Sequence, residues 1–99
     1  MTEAIANSWT YQSVFEDLVH MLTQMAPLKV TGPVAPETTL DEDLGFDSLD
    51  AVDLLIAVND HFLISVDIEA WLEEESQKED KPFTVGSLCR FIMKALHEG

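Results

Sequence analysis

Residues 47–62 read DSLDAVDLLIAVNDHF, a run with no glycine or proline. Its apolar positions recur at helical spacing, which predicts a helix starting near Asp47 or Ser48 and continuing to about His61. At about 100° per residue from Leu49 as zero, Leu54, Leu55, Val58 and Phe62 fall between roughly 140° and 240°, the side that faces a core. Leu49, Val52 and Ile56 fall at roughly 0°, 300° and 340°, a second apolar stripe turned largely away from the first. Asp53 and Asp60 lie beside this stripe at roughly 40° and 20°, and Asp50 flanks it at about 100°. One small core cannot easily bury both stripes. Apolar anchors bordered by acids describe a docking surface for a partner that offers a pocket with a basic rim.

The start of this helix is written in its first residues. Asp47 is a natural N-cap whose carboxylate accepts from an orphan backbone N–H, and Asp50 three residues on takes the place of the acid in a capping box. Ser48 falls in the first turn, where unpaired N–H groups and the positive end of the helix dipole favour a phosphate on its hydroxyl.

On the N-terminal side, Val14, Leu18, Met21, Leu22 and Met25 recur at three- and four-residue spacing and predict a first helix from about Tyr11 to Met25. Residues 1–10 read as a loosely held extension. Pro27, Gly32, Pro33 and Pro36 break the periodicity, so a long loop follows, with Leu40 and Leu44 as its plugs into the core. On the C-terminal side, Leu63-Ile64-Ser65-Val66 is better read as loop than strand, and a short helix is expected over about Ile68 to Glu74. The run from Glu73 to Pro82 reads as a solvated linker. Thr84 then caps a last amphipathic helix carrying Val85, Leu88, Phe91, Ile92, Ala95 and Leu96 and ending near Gly99. These elements make a small all-α bundle.

The chain has 99 residues, with 19 acids against five lysines and arginines and a formal net charge of -14. No Lys or Arg occurs from Val30 to Gln77. Such a surface repels a phosphate backbone, which excludes nucleic acid, and attracts basic protein surfaces. Met1 to Ser8 carries Glu3 and no positive charge, and no apolar run approaches the roughly 18 residues of a membrane span, so a cytoplasmic protein without a span is expected. The single cysteine, Cys89, has no partner for an internal disulfide and suits a small core position.

The segment Asp43-Leu44-Gly45-Phe46-Asp47-Ser48-Leu49-Asp50-Ala51-Val52-Asp53-Leu54 resembles the prosthetic-group attachment region of acyl carrier proteins. The later Phe62 and Thr84-Val85 follow the family's order, and the resemblance spans about residues 12–97. It implies an antiparallel four-helix bundle of three long helices and one short, with a 4'-phosphopantetheine arm donated from coenzyme A to Ser48 by a phosphopantetheinyl transferase. The arm's thiol would hold acyl groups as thioesters. The resemblance also implies that Asp47, Leu49, Asp50, Val52, Asp53 and Ile56 meet the transferase and the acyl-transferring, condensing and modifying enzymes, with the carrier a monomer. Asp60 joins this docking face from the wheel. Asp47 before the serine is similar to acyl rather than peptidyl carriers. The resemblance implies a place in fatty acid, polyketide or related specialised biosynthesis; Asn59-Asp60-His61 in place of the family's usual consecutive glutamates, the long linker from Glu73 to Phe83 and the N-terminal extension point to a specialised pathway rather than the housekeeping fatty-acid role.

Rival readings fare worse. Asp41, Asp43, Gly45 and Asp47 suggest a calcium loop, but counting from Asp41 the sixth position is Phe46 and the twelfth Val52, where glycine and a bidentate glutamate belong. Ser48 and His61 sit about 20 Å apart along one helix, beyond hydrogen-bond reach, so no nucleophile–base pair forms between them. Trp9 and Trp71 read as packing residues, with lining of an acyl entrance as the alternative for Trp71, and Met21, Met25 and Met93 suggest an adaptable core. The second class of function is an acidic helical adaptor that binds basic partners without a prosthetic group.

Overall fold

A computed structural model of the protein describes residues 9–80 and 82–98 and contains four helices: α1 (Tyr11–Met25), α2 (Ser48–Phe62), α3 (Ile68–Ser76) and α4 (Val85–Glu98). Each start is fixed by a short polar side chain. Thr10 and Ser13 form a reciprocal capping box on α1, Asp67 accepts from Ala70 N at 3.2 Å on α3, and Thr84 Oγ1 accepts from Ser87 N at 3.1 Å on α4. α1 buries Val14, Leu18, Met21 and Leu22, whereas Met25, one turn further on, has run past the core and is exposed. α1 packs on α4, which contributes Val85, Leu88, Cys89 and Ile92, and on α2. The result is a small all-α bundle of the kind the sequence predicts.

Trp9 and Thr10, the end of the segment read as an extension, are both engaged. Trp9 meets Phe62 edge-on with ring centroids 4.9 Å apart, and Thr10 caps α1. The rest of that segment, residues 1–8, lies outside the described residues.

The connection between α1 and α2 is long but well anchored. Leu40 and Leu44 plug the core, and Val30 and Phe46 are buried with them. Main-chain bonds stitch this loop to the beginning of α4: Leu40 N to Phe83 O at 2.8 Å, Val85 N to Thr38 O at 2.9 Å and Gly86 N to Pro36 O at 2.8 Å. Phe46 N in turn donates to Leu40 O at 2.8 Å, so the residues leading into α2 hang from the same seam.

α2 ends where Leu63 takes a left-handed conformation, φ 57°, and donates to Asn59 O. Ile64 N donates to the same carbonyl, and Val66 N reaches Asn59 Oδ1 at 3.1 Å, so one asparagine sets the course of the next turn. Residues 63–66 are loop, as their flanking helices required.

One expectation is corrected. The sequence predicts a solvated linker from Glu73 onward after a helix ending near Glu74, yet α3 continues to Ser76 and Glu75 is only 1% exposed. Its carboxylate accepts from Phe83 N at 2.8 Å, Ser87 Oγ at 2.7 Å and Lys78 Nζ at 2.6 Å. The approach of residues 83–87 to the end of α3 creates this site, and hydrogen bonds to the charged form make a buried carboxylate tolerable there.

Candidate functional site at the start of helix 2

The capping box read from Asp47 and Asp50 is present in full. Asp47 Oδ1 accepts from Asp50 N at 2.8 Å, and Asp50 Oδ2 accepts from Asp47 N at 3.2 Å. Asp47 has extended backbone, φ −94° and ψ −173°, and its carbonyl takes the first helical bond, from Ala51 N at 3.0 Å. Ser48 is therefore the first residue of α2, and it is exposed. No described residue hydrogen-bonds its hydroxyl, and the Ser48 and Leu49 N–H groups have no acceptor within the helix. Gly45, three residues earlier, has φ 74°, where a side chain would be strained, and this left-handed step delivers the chain to the cap.

A residue the sequence did not single out completes the site. Lys29, from the loop after α1, places Nζ 2.6 Å from Asp50 Oδ2 and 3.1 Å from Gly45 O, and 5.6 Å from the centre of the Phe46 ring. The Lys29 hydrogen bond, followed by that from the Asp47 N–H, holds the Asp50 carboxyl below its ordinary range. In the sequence Lys29 is marked only as the last cation before a stretch that has none, which does not say what it pairs with. Together, an exposed hydroxyl and unpaired first-turn N–H groups fit a phosphodiester on Ser48, while Lys29 neutralises Asp50 at the same helix start.

The two stripes of α2 separate as the wheel requires. Ala51, Leu54, Leu55, Val58 and Phe62 are buried, whereas Leu49 is 74% and Ile56 56% exposed, with Val52 half-buried between them. Asp53 and Asp60 are exposed beside this stripe, Asp47 is exposed at the cap, and Asp50 is half-buried under Lys29. Leu28, next to Lys29, is 91% exposed and lies outside the residues the wheel selected.

The other reactive side chains are placed elsewhere. His61 Nε2 lies 3.1 Å from Asp17 Oδ2, joining α2 to α1 at the end remote from Ser48. Cys89 is fully buried, and burial pushes its thiol up to about 12, which keeps it protonated and inert. Asp41, Asp43 and Asp47 each turn a carboxylate oxygen to a different backbone N–H, those of Glu42, Thr39 and Asp50. No helix among the described residues is long and apolar enough to cross a membrane.

The family described as "Phosphopantetheine attachment site" matches residues 18–77, which include the whole of α2 and its capped start. The chain belongs to this family, that of the acyl carrier proteins, whose domains are in general non-catalytic and bear phosphopantetheine. Among its relatives is the acyl carrier protein AcpXL of Mesorhizobium japonicum, 36% identical over 62 residues that cover 60% of this chain and 67% of the relative. AcpXL of Rhizobium etli is 32% identical over the same shares, and AcpXL of Brucella melitensis 26% identical over 83 residues, 81% of this chain and 88% of the relative.

Proposed function

We propose that Ser48 is the attachment residue and that the protein carries acyl groups as thioesters on its 4'-phosphopantetheine arm. The observation that carries this reading is the exposed, unengaged hydroxyl at the first position of a capped helix, inside the region that matches the family. The chain's part is to accept and to present. Ser48 Oγ replaces the nucleotide on the phosphorus of coenzyme A, forming the phosphodiester and releasing the adenosine bisphosphate. The hydroxyl proton passes to the transferase, because the nearest histidine of α2 stands about 20 Å away along the helix. The arm supplies a thiol for the thioester.

Presentation falls to the exposed stripe. Leu49, Val52 and Ile56 enter apolar pockets of the partner while Asp47, Asp50, Asp53 and Asp60 meet its basic rim, which suits the transferase and then acyl-transferring, condensing and modifying enzymes in turn. The carrier unit is residues 11–99, acting as a monomer in the cytoplasm. The names of the relatives favour an acyl over a peptidyl cargo.

Incubation with coenzyme A and a broad-specificity transferase tests the reading. Intact mass should rise by one phosphopantetheine, and Ser48→Ala should abolish the rise. A wild-type chain left unmodified by several active transferases would leave the acidic adaptor as the better account.

A further inference from the structure

Leu63, just past the last turn of α2, is 89% exposed and stands in the left-handed region, φ 57° and ψ 47°. Glycine and asparagine take that conformation readily, whereas a bulky side chain is strained in it. The fold draws nothing from the leucine side chain. The turn needs only the Leu63 N–H, which donates to Asn59 O, and the apolar contact that often closes a helix end falls to Ile64, half-buried against the core. A strained backbone and a large apolar side chain in water are two separate costs at one residue, and unrelieved costs of that kind gather where a protein binds something.

The place of Leu63 along the helix says what it binds. Continuing the count from Leu49, its position falls at roughly 320°, between Val52 at roughly 300° and Ile56 at roughly 340°. The exposed stripe that begins beside Ser48 therefore runs past the last turn, with Leu49 and Leu63 at its two ends about 21 Å apart. Asp60, three residues before Leu63, and Asp67, four after, are both exposed, so the far end repeats the apolar and acidic character of the near one. A second copy of the chain, also at -14, would be repelled, and a basic partner fits.

Among basic partners the transferase has the strictest need. The arm lets an acyl-processing enzyme reach its cargo at a distance from the carrier, whereas the transferase must bring its own centre to Ser48 Oγ. An anchor at Leu49 alone leaves α2 free to pivot about that point. A second anchor at the opposite end fixes the helix axis and with it the approach of the hydroxyl.

We propose that Leu63 is a second anchor for the phosphopantetheinyl transferase, filling an apolar pocket about 21 Å from the one that takes Leu49. The inference rests on the carrier reading above. Leu63 is a positioning residue: it acts through the orientation of α2 and touches no reacting atom.

Two variants of the full chain test this. Leu63→Asn keeps the backbone donor and suits the left-handed turn but removes the anchor, and Leu63→Met keeps an apolar side chain. Arm installation from coenzyme A is timed by intact mass, with the transferase that loads the wild type fastest. Leu63→Asn should lower kcat/KM roughly 5–30-fold, equally at low and high salt, with the melting temperature unchanged or raised, and Leu63→Met should stay near the wild type. A loss that disappears at high salt would assign the contact to charge, and one accompanied by a lower melting temperature would assign it to the fold; either overturns the inference. A wild type that takes no arm sinks the carrier reading itself, whereas undiminished loading of Leu63→Asn sinks only this one.

Discussion

Lys29 Nζ and Asp50 Oδ2 lie 2.6 Å apart, so the loop after α1 is tied to the first turn of α2 directly beside Ser48. Lys29→Gln removes the charged partner while keeping a polar stem. The Asp50 carboxyl, held down chiefly by Lys29, should then titrate at higher pH, toward its ordinary value. Carbon-detected titration of the aspartates measures this, and an unmoved Asp50 would show that the cap alone sets its acidity.

Asp47→Ala should cost about 1 kcal/mol of stability by leaving the Asp50 N–H without its side-chain acceptor. For a domain of this size that lowers the melting temperature by roughly 4–8 °C. Asp47→Asn retains an acceptor oxygen and should recover most of the loss in the same thermal melt.

Leu49→Ala and Ile56→Ala test the exposed stripe. Each should lower kcat/KM for arm installation by roughly 5–30-fold through loss of an anchor buried in the partner, with the melting temperature of the free carrier nearly unchanged. Asp53→Lys should slow the same reaction more at low salt than at high salt, as expected for encounter between opposite charges. Full activity in all three would remove this face from the docking surface.

The Glu75 clasp predicts an acid-sensitive domain. Burial pushes the carboxyl upward, but the bonds from Lys78, Ser87 and the Phe83 N–H outweigh it, and the folded state titrates below the usual glutamate value. The stabilisation is therefore fully present above the ordinary glutamate range and is lost as pH falls through the lowered folded value. Glu75→Ala should cost about 2 kcal/mol near neutral pH, a figure kept modest because Lys78 is 38% exposed and screened by solvent. Urea unfolding across the acid range should show a shallower decline for this variant than for the wild type.

Gly86 allows α4 to approach the loop. A Cβ there would lie 3.0 Å from Pro36 O and 3.0 Å from the Tyr11 hydroxyl oxygen, and the Pro36 carbonyl is itself held by Gly86 N. Gly86→Ala should destabilise by about 1–2 kcal/mol, since the crowding outweighs the alanine's helix preference. Equal or higher stability in denaturant titration would mean that the seam has slack.

What could be read in advance was what is local. The limits of α1, the cap at Asp47 and the two stripes of α2 depend on residues three and four apart, so their spacing contains them. Leu40 and Leu44 were visible as isolated apolar residues in a polar loop. Glu75 was hidden because Glu73, Glu74 and Glu75 look alike along the chain, and only the arrival of Phe83 and Ser87 distinguishes the third. Lys29 and Phe46 were missed for the same reason: their places depend on contacts across the α1–α2 connection. Phe83, at φ 61°, adopts a backbone that local preference disfavours and that its tertiary bonds impose.

The bonds joining Thr38 and Leu40 to Phe83 and Val85 link positions roughly forty-five residues apart. Closing so long a segment has an entropic cost that must be met before the contacts return anything, so this seam belongs to the late part of folding. During synthesis, a nascent chain that still lacks α4 has no edge on which to hang the residues leading to Ser48. A transferase that recognises the finished loop would act only once α4 has been made and has docked, and arm installation would report that docking.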